Sequence, residues 1–272
     1  MAYSRADVRK TEANISPPAA AAGSRSSVER LVLSGKPVAL FLDIDGTLLD
    51  VALTPSTVRV PSVLPGVLHA LTARLSGSLA VITGRPLAEA DELLAPFQFA
   101  GAGVHGGQMR FSADGKIETL TPRFGPQLRA DIEQIVHDLP GVVFEDKGSG
   151  IALHYRLAPE QQNALMMNIE ALLPKFPNQF RVCGGRKVVE ILPLGFSKGR
   201  ALRQLAALPQ FAGRTPVMVG DDISDLDAFQ AAEELRGFGL KVAGENFSAD
   251  EASFQGPADV LGWLRRLAGT SV

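Results

Sequence analysis

The chain has 272 residues, of which 46% are apolar, and a formal net charge of −2. This length allows one or two domains with a substantial core, and the weak charge argues against nucleic acid or an anionic membrane as a partner. The longest apolar runs fall short of the roughly 18 residues that span a membrane, and the N-terminus lacks the apolar stretch of a secretory signal. One cysteine, Cys183, excludes an internal disulfide and is predicted to be an inert thiol. We therefore expect a cytoplasmic protein.

In chain order, the first predicted element is a flexible tail over residues 1 to 30, which are rich in Ala, Ser, Pro and charge. From Leu31 onward, short apolar runs alternate with amphipathic patterns. Strands are predicted at 38–42, 79–83 and 216–220, and helices at 66–75, 85–97, 197–208 and 257–268. This alternation predicts an α/β fold with a parallel sheet and helices on both of its faces.

The middle of the chain has a different pattern, from residue 108 to residue 192. A hairpin with Asp114-Gly115 at its turn is followed by a helix at 126–139, strands at 142–147 and 151–156, a helix at 159–173 and strands at 179–185 and 186–192. Paired strands with helices between them predict an α+β unit. The sequence thus predicts a core domain of residues 31–107 and 193–272, with an inserted cap domain of residues 108–192.

Polar side chains stand where the predicted core strands end. Asp43 and Asp45 follow the first strand, Thr83 ends the second, and Asp221, with Asp222 and Asp225 close behind, follows the third. Lys198 lies in the first turn of a helix. Singly, these are ordinary turn, helix-cap or surface residues. Because ligands bind at the carboxyl ends of parallel strands, their shared position predicts one site.

This order of motifs resembles the haloacid dehalogenase (HAD) superfamily of phosphatases, over about residues 36 to 268. The resemblance implies a Rossmannoid core with a cap, and an aspartyl-phosphate intermediate. Asp43 would be the nucleophile and Asp45 the general acid and then base. Asp43, Asp221 and the backbone carbonyl of Asp45 would hold Mg²⁺. The phosphoryl oxygens would be held by Thr83, Gly84 and Lys198.

The segments "AGVHG", "VVFEDKG", "IALHYR", "RKVVEI" and "GRTPVMVGDD" together resemble the trehalose-6-phosphate phosphatase family. That resemblance implies sugar contacts from Glu145, Lys147, Arg156, Arg186 and Glu190. The chain departs from the family at two positions, since Arg186 stands where Lys is common and Leu226 stands where the family usually has Glu. The second departure bears on the outer shell of the metal site.

Alternation along the cap strands gives an independent view of the same residues. Because side chains alternate between the faces of a strand, polar groups share one face of each of three strands. Two interpretations remain open at this point: a half-solvated sheet with cross-strand salt bridges, or a polar surface facing the active site. His154 is interpreted as a packed strand residue and His105 as lining the cap entrance without a catalytic role.

The leading hypothesis is Mg²⁺-dependent hydrolysis of trehalose 6-phosphate to trehalose and phosphate, in trehalose biosynthesis. Its rivals are another HAD sugar phosphatase, acting on sucrose phosphate or mannosyl-3-phosphoglycerate, and a non-catalytic sugar-phosphate sensor. A sensor has no need of a nucleophile beside an acid–base group. A nucleotide-binding module is disfavoured because the sequence has neither G-x-G-x-x-G nor a P-loop.

Overall fold

A computed structural model of the protein describes residues 21–51, 58–121, 123–185 and 187–270. In chain order, the strands of this part are β1 (Val38–Leu42), β2 (Leu79–Ile82), β3 (Ala100–Gly103), β4 (Gln108–Arg110), β5 (Glu118–Thr119), β6 (Val143–Asp146), β7 (Ile151–His154), β8 (Phe180–Gly185), β9 (Val188–Pro193), β10 (Thr215–Gly220) and β11 (Phe238–Lys241). The α-helices are α1 (Ala21–Leu33), α2 (Leu64–Arg74), α3 (Leu87–Leu94), α4 (Pro126–His137), α5 (Gln162–Leu172), α6 (Lys198–Ala206), α7 (Leu226–Glu234) and α8 (Pro257–Ala268). None of the helices in these ranges has the length and apolar character that a membrane crossing requires.

The larger sheet has seven strands in the order β11-β10-β1-β2-β3-β4-β5. The first five run parallel, and β4 and β5 extend the sheet as an antiparallel hairpin. All five side chains of β1 are buried, as expected for a strand covered on both faces. One face packs against α1, α2, α3 and α8, and the other packs against α6 and α7. This arrangement confirms the predicted α/β core.

The smaller sheet has four antiparallel strands in the order β6-β7-β9-β8. Its apolar face packs against α4 and α5 and forms a separate core, with Leu128, Ile132, Leu153, Leu165, Ile169 and Ile191 among the buried residues. The strand register places Glu145, His154 and Glu190 on the opposite face. The predicted α+β insertion is therefore present, with one polar face.

The segment predicted as a tail is partly helical. α1 begins at Ala21, and Val28 and Val32 on it are buried in the core. Arg25 binds both carboxylate oxygens of Asp259 at 3.0 and 2.9 Å and lies 4.5 Å from the ring centroid of Phe254. The prediction of a tail is thus wrong for residues 21–30, because α1 is held by two buried valines one helical turn apart and by the Arg25–Asp259 pair. Residues 1–20 lie outside the described residues.

The hairpin at residues 108–119 is the second correction. Its strands β4 and β5 continue the larger sheet through pairing with β3, so they do not belong with the cap strands to which the sequence assigned them. Sequence patterns indicate a hairpin but not the sheet that it joins, since that depends on the neighbouring edge. The sequence also gave no prediction for β3, whose Ala and Gly residues lack the usual β-propensity.

Candidate active site

The centre of the site is the junction between β1 and β10. Asp43 follows β1 and Asp221 follows β10, and both side chains are buried. Gly46 has φ +77°, and a Cβ there would lie 2.3 Å from Asp221 Oδ2, so a side chain at this position would collide with the carboxylate. The Thr47 hydroxyl donates a hydrogen bond to Asp221 Oδ1 at 3.0 Å. The Asp-Gly-Thr turn after β1 therefore shapes and orients the second carboxylate.

Lys198 brings a positive charge to this junction. It is the first residue of α6, whose N-cap Ser197 accepts a hydrogen bond from the Arg200 amide. Its ammonium lies 3.0 Å from Asp43 Oδ1 and 2.7 Å from Asp225 Oδ1. Burial alone would lower the pKa of Lys198, but the charges of Asp225 and Asp43 outweigh it and raise that pKa well above its usual value. The lysine is therefore a permanent cation of the site.

Asp225 belongs to the site, although no role for it was predicted from the sequence. Its Oδ2 accepts the backbone amides of Asp221 and Asp222 at 3.1 and 3.0 Å, while its Oδ1 accepts Lys198. Its carboxylate therefore holds the lysine and the turn after β10 in one arrangement. In the sequence, the position of Asp225 four residues after Asp221 could have indicated this role. One short turn at this spacing returns the carboxylate to the end of β10.

Three buried carboxylates gather at this junction in the described part of the chain. Carboxylate oxygens of Asp43, Asp221 and Asp225 lie within 4.8 Å of one another, beside the single Lys198 ammonium. Burial raises the pKa of Asp43 well above its usual value, and the neighbouring carboxylates raise it further against the effect of Lys198. Both oxygens of Asp225 are bonded to other donors. Carboxylate oxygens gathered in this way are the hard ligands that suit a divalent metal ion.

Asp45 is bound by Arg85, a residue for which the sequence pattern predicted no role. Arg85 donates from Nε to Asp45 Oδ2 at 2.6 Å and from Nη2 to Asp45 Oδ1 at 2.7 Å. Thr83, at the end of β2, accepts the Arg85 amide on its hydroxyl oxygen at 3.1 Å, which leaves the hydroxyl proton for another acceptor. In the sequence, the position of Arg85 two residues after the strand-end Thr83, in "TGRP", could have indicated that it reaches the site.

The polar face of the smaller sheet lies over this junction. One cavity is lined by residues of both sheets: Asp43, Asp45, Val51, Val58, Gly84, Arg85, Glu89, His105, Glu145, Lys147, His154, Arg156, Val188, Glu190, Lys198, Asp221, Asp222 and Ser224. Four of the five sequence-predicted sugar contacts are among them, and the fifth, Arg186, lies outside the described residues. Leu226 is 44% exposed and is not among the described residues that line the cavity.

Lys147 and Glu190 connect the cap face to the core. Lys147 Nζ donates to Glu190 Oε1 at 2.8 Å and to the carbonyl of Gly84 at 3.0 Å, and Glu190 Oε2 lies 2.7 Å from His105 Nε2. Burial alone would raise the pKa of Glu190, but His105 and Lys147 hold it well below its usual value. The carboxylate is therefore ionised at neutral pH.

Glu145 has a histidine partner of its own. His154 Nε2 lies 2.6 Å from Glu145 Oε2, and this bond, with the Lys147 charge, lowers the pKa of Glu145 against the effect of burial. His154 therefore lies in the cavity wall, whereas the sequence had suggested only a packed strand residue. The polar alternation therefore contains elements of both interpretations: Lys147–Glu190 and Glu145–His154 are ion pairs between strands, and all four residues line the cavity.

Comparisons with known proteins agree with this architecture. The family model described as trehalose-phosphatase matches residues 41–257. A probable trehalose-phosphate phosphatase of Sinorhizobium fredii is 41% identical over 216 residues, covering 79% of this chain and 80% of that protein. The trehalose-6-phosphate phosphatase of Escherichia coli is 36% identical over 233 residues, covering 84% and 86%.

Solved structures show the same fold. The C-terminal domain of a Candida albicans trehalose-6-phosphate phosphatase aligns with a TM-score of 0.78 at 20% identity, covering 91% of this chain and 97% of that one. A HAD-superfamily phosphatase from Bacteroides thetaiotaomicron aligns with a TM-score of 0.56 at 16% identity, covering 95% and 99%. The fold is therefore HAD-like, and the chain belongs to the trehalose-phosphatase family.

Proposed function

We propose that the protein hydrolyses trehalose 6-phosphate to trehalose and phosphate in a Mg²⁺-dependent reaction. The observation that carries this proposal is the buried Asp43 carboxylate, 3.0 Å from the Lys198 ammonium, beneath a face of the smaller sheet that carries the charged Glu145, Lys147 and Glu190. Relatives that are 36% and 41% identical over most of their length carry the corresponding names. The HAD resemblance supplies the type of reaction.

In the proposed reaction, a carboxylate oxygen of Asp43 attacks phosphorus, and the bond from phosphorus to the sugar oxygen breaks. Asp45 gives its proton to that leaving oxygen, which produces trehalose. Asp45 then takes a proton from a water molecule that attacks the aspartyl-phosphate and releases phosphate. Since Arg85 binds both oxygens of Asp45 in this structure, the arginine must yield part of that contact when Asp45 carries its proton.

Lys198, Thr83 and Gly84 would hold the phosphoryl oxygens. The ammonium of Lys198 offsets the repulsion between an anionic nucleophile and an anionic phosphate. The Thr83 hydroxyl has a proton to donate, and its oxygen is fixed by the Arg85 amide. These groups are positioned before the substrate arrives, which is the arrangement that favours charge development in the transition state.

Asp43, Asp221 and the backbone carbonyl of Asp45 would hold Mg²⁺. The excess of buried carboxylates over cations supports this assignment, as does the occupation of both Asp225 oxygens by other donors. When bound, Mg²⁺ would supply positive charge next to the phosphoryl oxygens. Asp225 would act by positioning Lys198 and the turn after β10.

The smaller sheet with α4 and α5 would form the cap domain, over residues 123–193, and the rest of the described chain would form the core domain. Glu145, Lys147, Arg156, Arg186 and Glu190 would bind the sugar hydroxyls from the cap. Ionised carboxylates accept hydrogen bonds and cationic groups donate them, so a polyol finds both kinds of partner. We place this reaction in the cytoplasm.

A phosphate-release assay on a set of sugar phosphates tests the proposal. Trehalose 6-phosphate should have the highest kcat/KM, excess chelator should stop turnover and Mg²⁺ should restore it. Ca²⁺ should not, because it prefers more ligands at longer distances. A higher kcat/KM for sucrose phosphate or mannosyl-3-phosphoglycerate would reassign the substrate, and binding without turnover of any sugar phosphate would indicate a sensor.

A further inference from the structure

His105 lies in a left-handed turn that is bonded to the loop after β2. Val104 and His105 have φ values of +47° and +52°, which side chains with a Cβ rarely adopt. The His105 amide donates to the carbonyl of Thr83 at 3.1 Å, and the Val104 amide donates to the carbonyl of Arg85 at 3.0 Å. Two adjacent non-glycine residues in this region are a form of local strain that often marks functional sites.

The imidazole of His105 lies directly against that same loop. A Cβ on Gly84 would be 2.7 Å from His105 Nε2, so the absence of a side chain at Gly84 gives the ring its place. The ring is 4% exposed, and its Nε2 is 2.7 Å from Glu190 Oε2. This short contact lacks hydrogen-bond geometry in the structure, so it is a close polar contact between the imidazole and an ionised carboxylate.

These positions form a closed ring of contacts among four residues. Glu190 binds Lys147, Lys147 binds the Gly84 carbonyl, Gly84 lies against the His105 imidazole, and that imidazole contacts Glu190. The side chains of His105, Lys147 and Glu190 are each at least 91% buried. Removing Lys147 or Glu190 would leave the other as a buried charge without its partner, so this pair holds the His105 contact and the Gly84 contact in one arrangement.

This ring joins the two ends of the substrate-binding site. Thr83 and Gly84 are proposed phosphate contacts, and Lys147 and Glu190 are proposed sugar contacts. In the proposed function, these two sets of residues bind the two ends of one sugar phosphate. The following inference rests on that function. We propose that His105 is a positioning residue that couples sugar recognition by Glu190 and Lys147 to the geometry of the phosphate-binding loop.

Two substitutions separate this role from a purely structural one, because the two hypotheses predict opposite orders of activity for the variants. His105→Gln keeps an amide nitrogen near the place of Nε2, whereas His105→Asn places its amide near Nδ1 and cannot reach Glu190. Asn, however, tolerates left-handed backbone better than Gln. Coupling through Glu190 therefore favours the Gln variant, and a need only for the left-handed turn favours the Asn variant.

The experiment measures kcat and KM of both variants with trehalose 6-phosphate and with p-nitrophenyl phosphate, which has no sugar. We expect His105→Asn to lower kcat/KM for the sugar phosphate by at least about tenfold and His105→Gln by less than about threefold. For His105→Asn, the loss of kcat/KM on p-nitrophenyl phosphate should be several-fold smaller than the loss on the sugar phosphate, because that substrate has no sugar for Glu190 and Lys147 to bind. His137→Asn, at an exposed position on α4, is the matched control and should change neither value.

An Asn variant more active than the Gln variant, or equal losses on both substrates with a lower Tm, would overturn the proposal and leave His105 a structural residue. Unchanged kinetics in both variants would also overturn it. The proposed function fails separately, when the wild-type protein does not hydrolyse trehalose 6-phosphate. In that event the comparison of variants uses whichever sugar phosphate the wild-type protein hydrolyses best, and the same outcomes decide the role of His105.

Discussion

Arg85 and Asp45 form a two-bond ion pair at the mouth of the site, with N···O distances of 2.6 and 2.7 Å. The Asp45 side chain is 34% exposed and the Arg85 side chain 12%, so the arginine is the fixed partner. A second carboxylate, Glu89, lies 3.6 Å from Arg85 Nη1. The arginine thus sets the direction of the carboxylate that we propose as the acid–base group.

Arg85→Lys should lower kcat, because lysine is a point charge that cannot bind both oxygens of Asp45. A hydrogen bond to a charged group contributes about 1.5 to 3 kcal/mol, so we expect a loss of roughly ten- to hundredfold. The loss should be the same on trehalose 6-phosphate and on p-nitrophenyl phosphate, since Asp45 serves the core chemistry. Wild-type kcat in this variant would show that Arg85 does not position Asp45.

Asp43→Asn should remove the nucleophile and lower kcat by at least about a thousandfold. In chelator, the same change should leave Tm unchanged or higher. The reason is the raised pKa of Asp43: the folded state disfavours its ionised form, which therefore costs stability at neutral pH. Thermal unfolding with and without Mg²⁺ measures this effect. A large loss of Tm in chelator would contradict the electrostatic account.

Glu145→Ala should affect the sugar substrate selectively. Contacts with the non-reacting part of a substrate help to position its phosphate, so we expect kcat/KM for trehalose 6-phosphate to fall about ten- to hundredfold. The change on p-nitrophenyl phosphate should be within about threefold. Glu170→Ala, on the exposed side of α5, is the control. Equal losses on the two substrates would mean that Glu145 only holds the cap together.

Glu190→Gln should destabilise the protein by about 3 kcal/mol at pH 7, because it leaves Lys147 without its buried partner. The pKa of Glu190 is depressed in the folded state, so its stabilising effect is complete above the unfolded value of 4.5 and is lost as pH falls toward the folded pKa. At pH 3.5 the difference between wild type and variant should be smaller by roughly 1.4 kcal/mol. Urea unfolding at both pH values measures the free energy of unfolding of the two proteins. The same difference between them at pH 7 and pH 3.5 would contradict the depressed pKa of Glu190.

Val28→Ala should test the attachment of α1. Val28 is fully buried, so the change should cost up to about 1.5 to 3 kcal/mol and lower Tm by several degrees. Leu33→Ala on the same helix is the control, since Leu33 is 56% exposed and should cost less than about 0.5 kcal/mol. Equal effects of the two substitutions would show that α1 does not pack as described.

The sequence predicted the α/β core because buried parallel strands and amphipathic helices leave distinct periods. It also indicated which residues gather at one sheet edge, since Asp43, Thr83 and Asp221 each follow a strand. The roles of Arg85, Asp225 and His105 could not be read in this way. Each acts through a partner 27 to 85 residues away, and such pairing depends on packing that no local pattern encodes. The attachment of α1 depends likewise on Arg25 reaching Asp259 near the other end of the chain.

The order of strands in the larger sheet has a consequence for biosynthesis. β1 lies between β2, which follows it closely along the chain, and β10, which the ribosome makes more than 170 residues later. Until Thr215–Gly220 has emerged, β1 has one unpaired edge, a template for pairing with other chains. The nascent chain then has Asp43 without Asp221 or Asp225. Asp43 thus gains its full set of carboxylate neighbours only after Asp225 has left the ribosome, more than 180 residues after Asp43 itself.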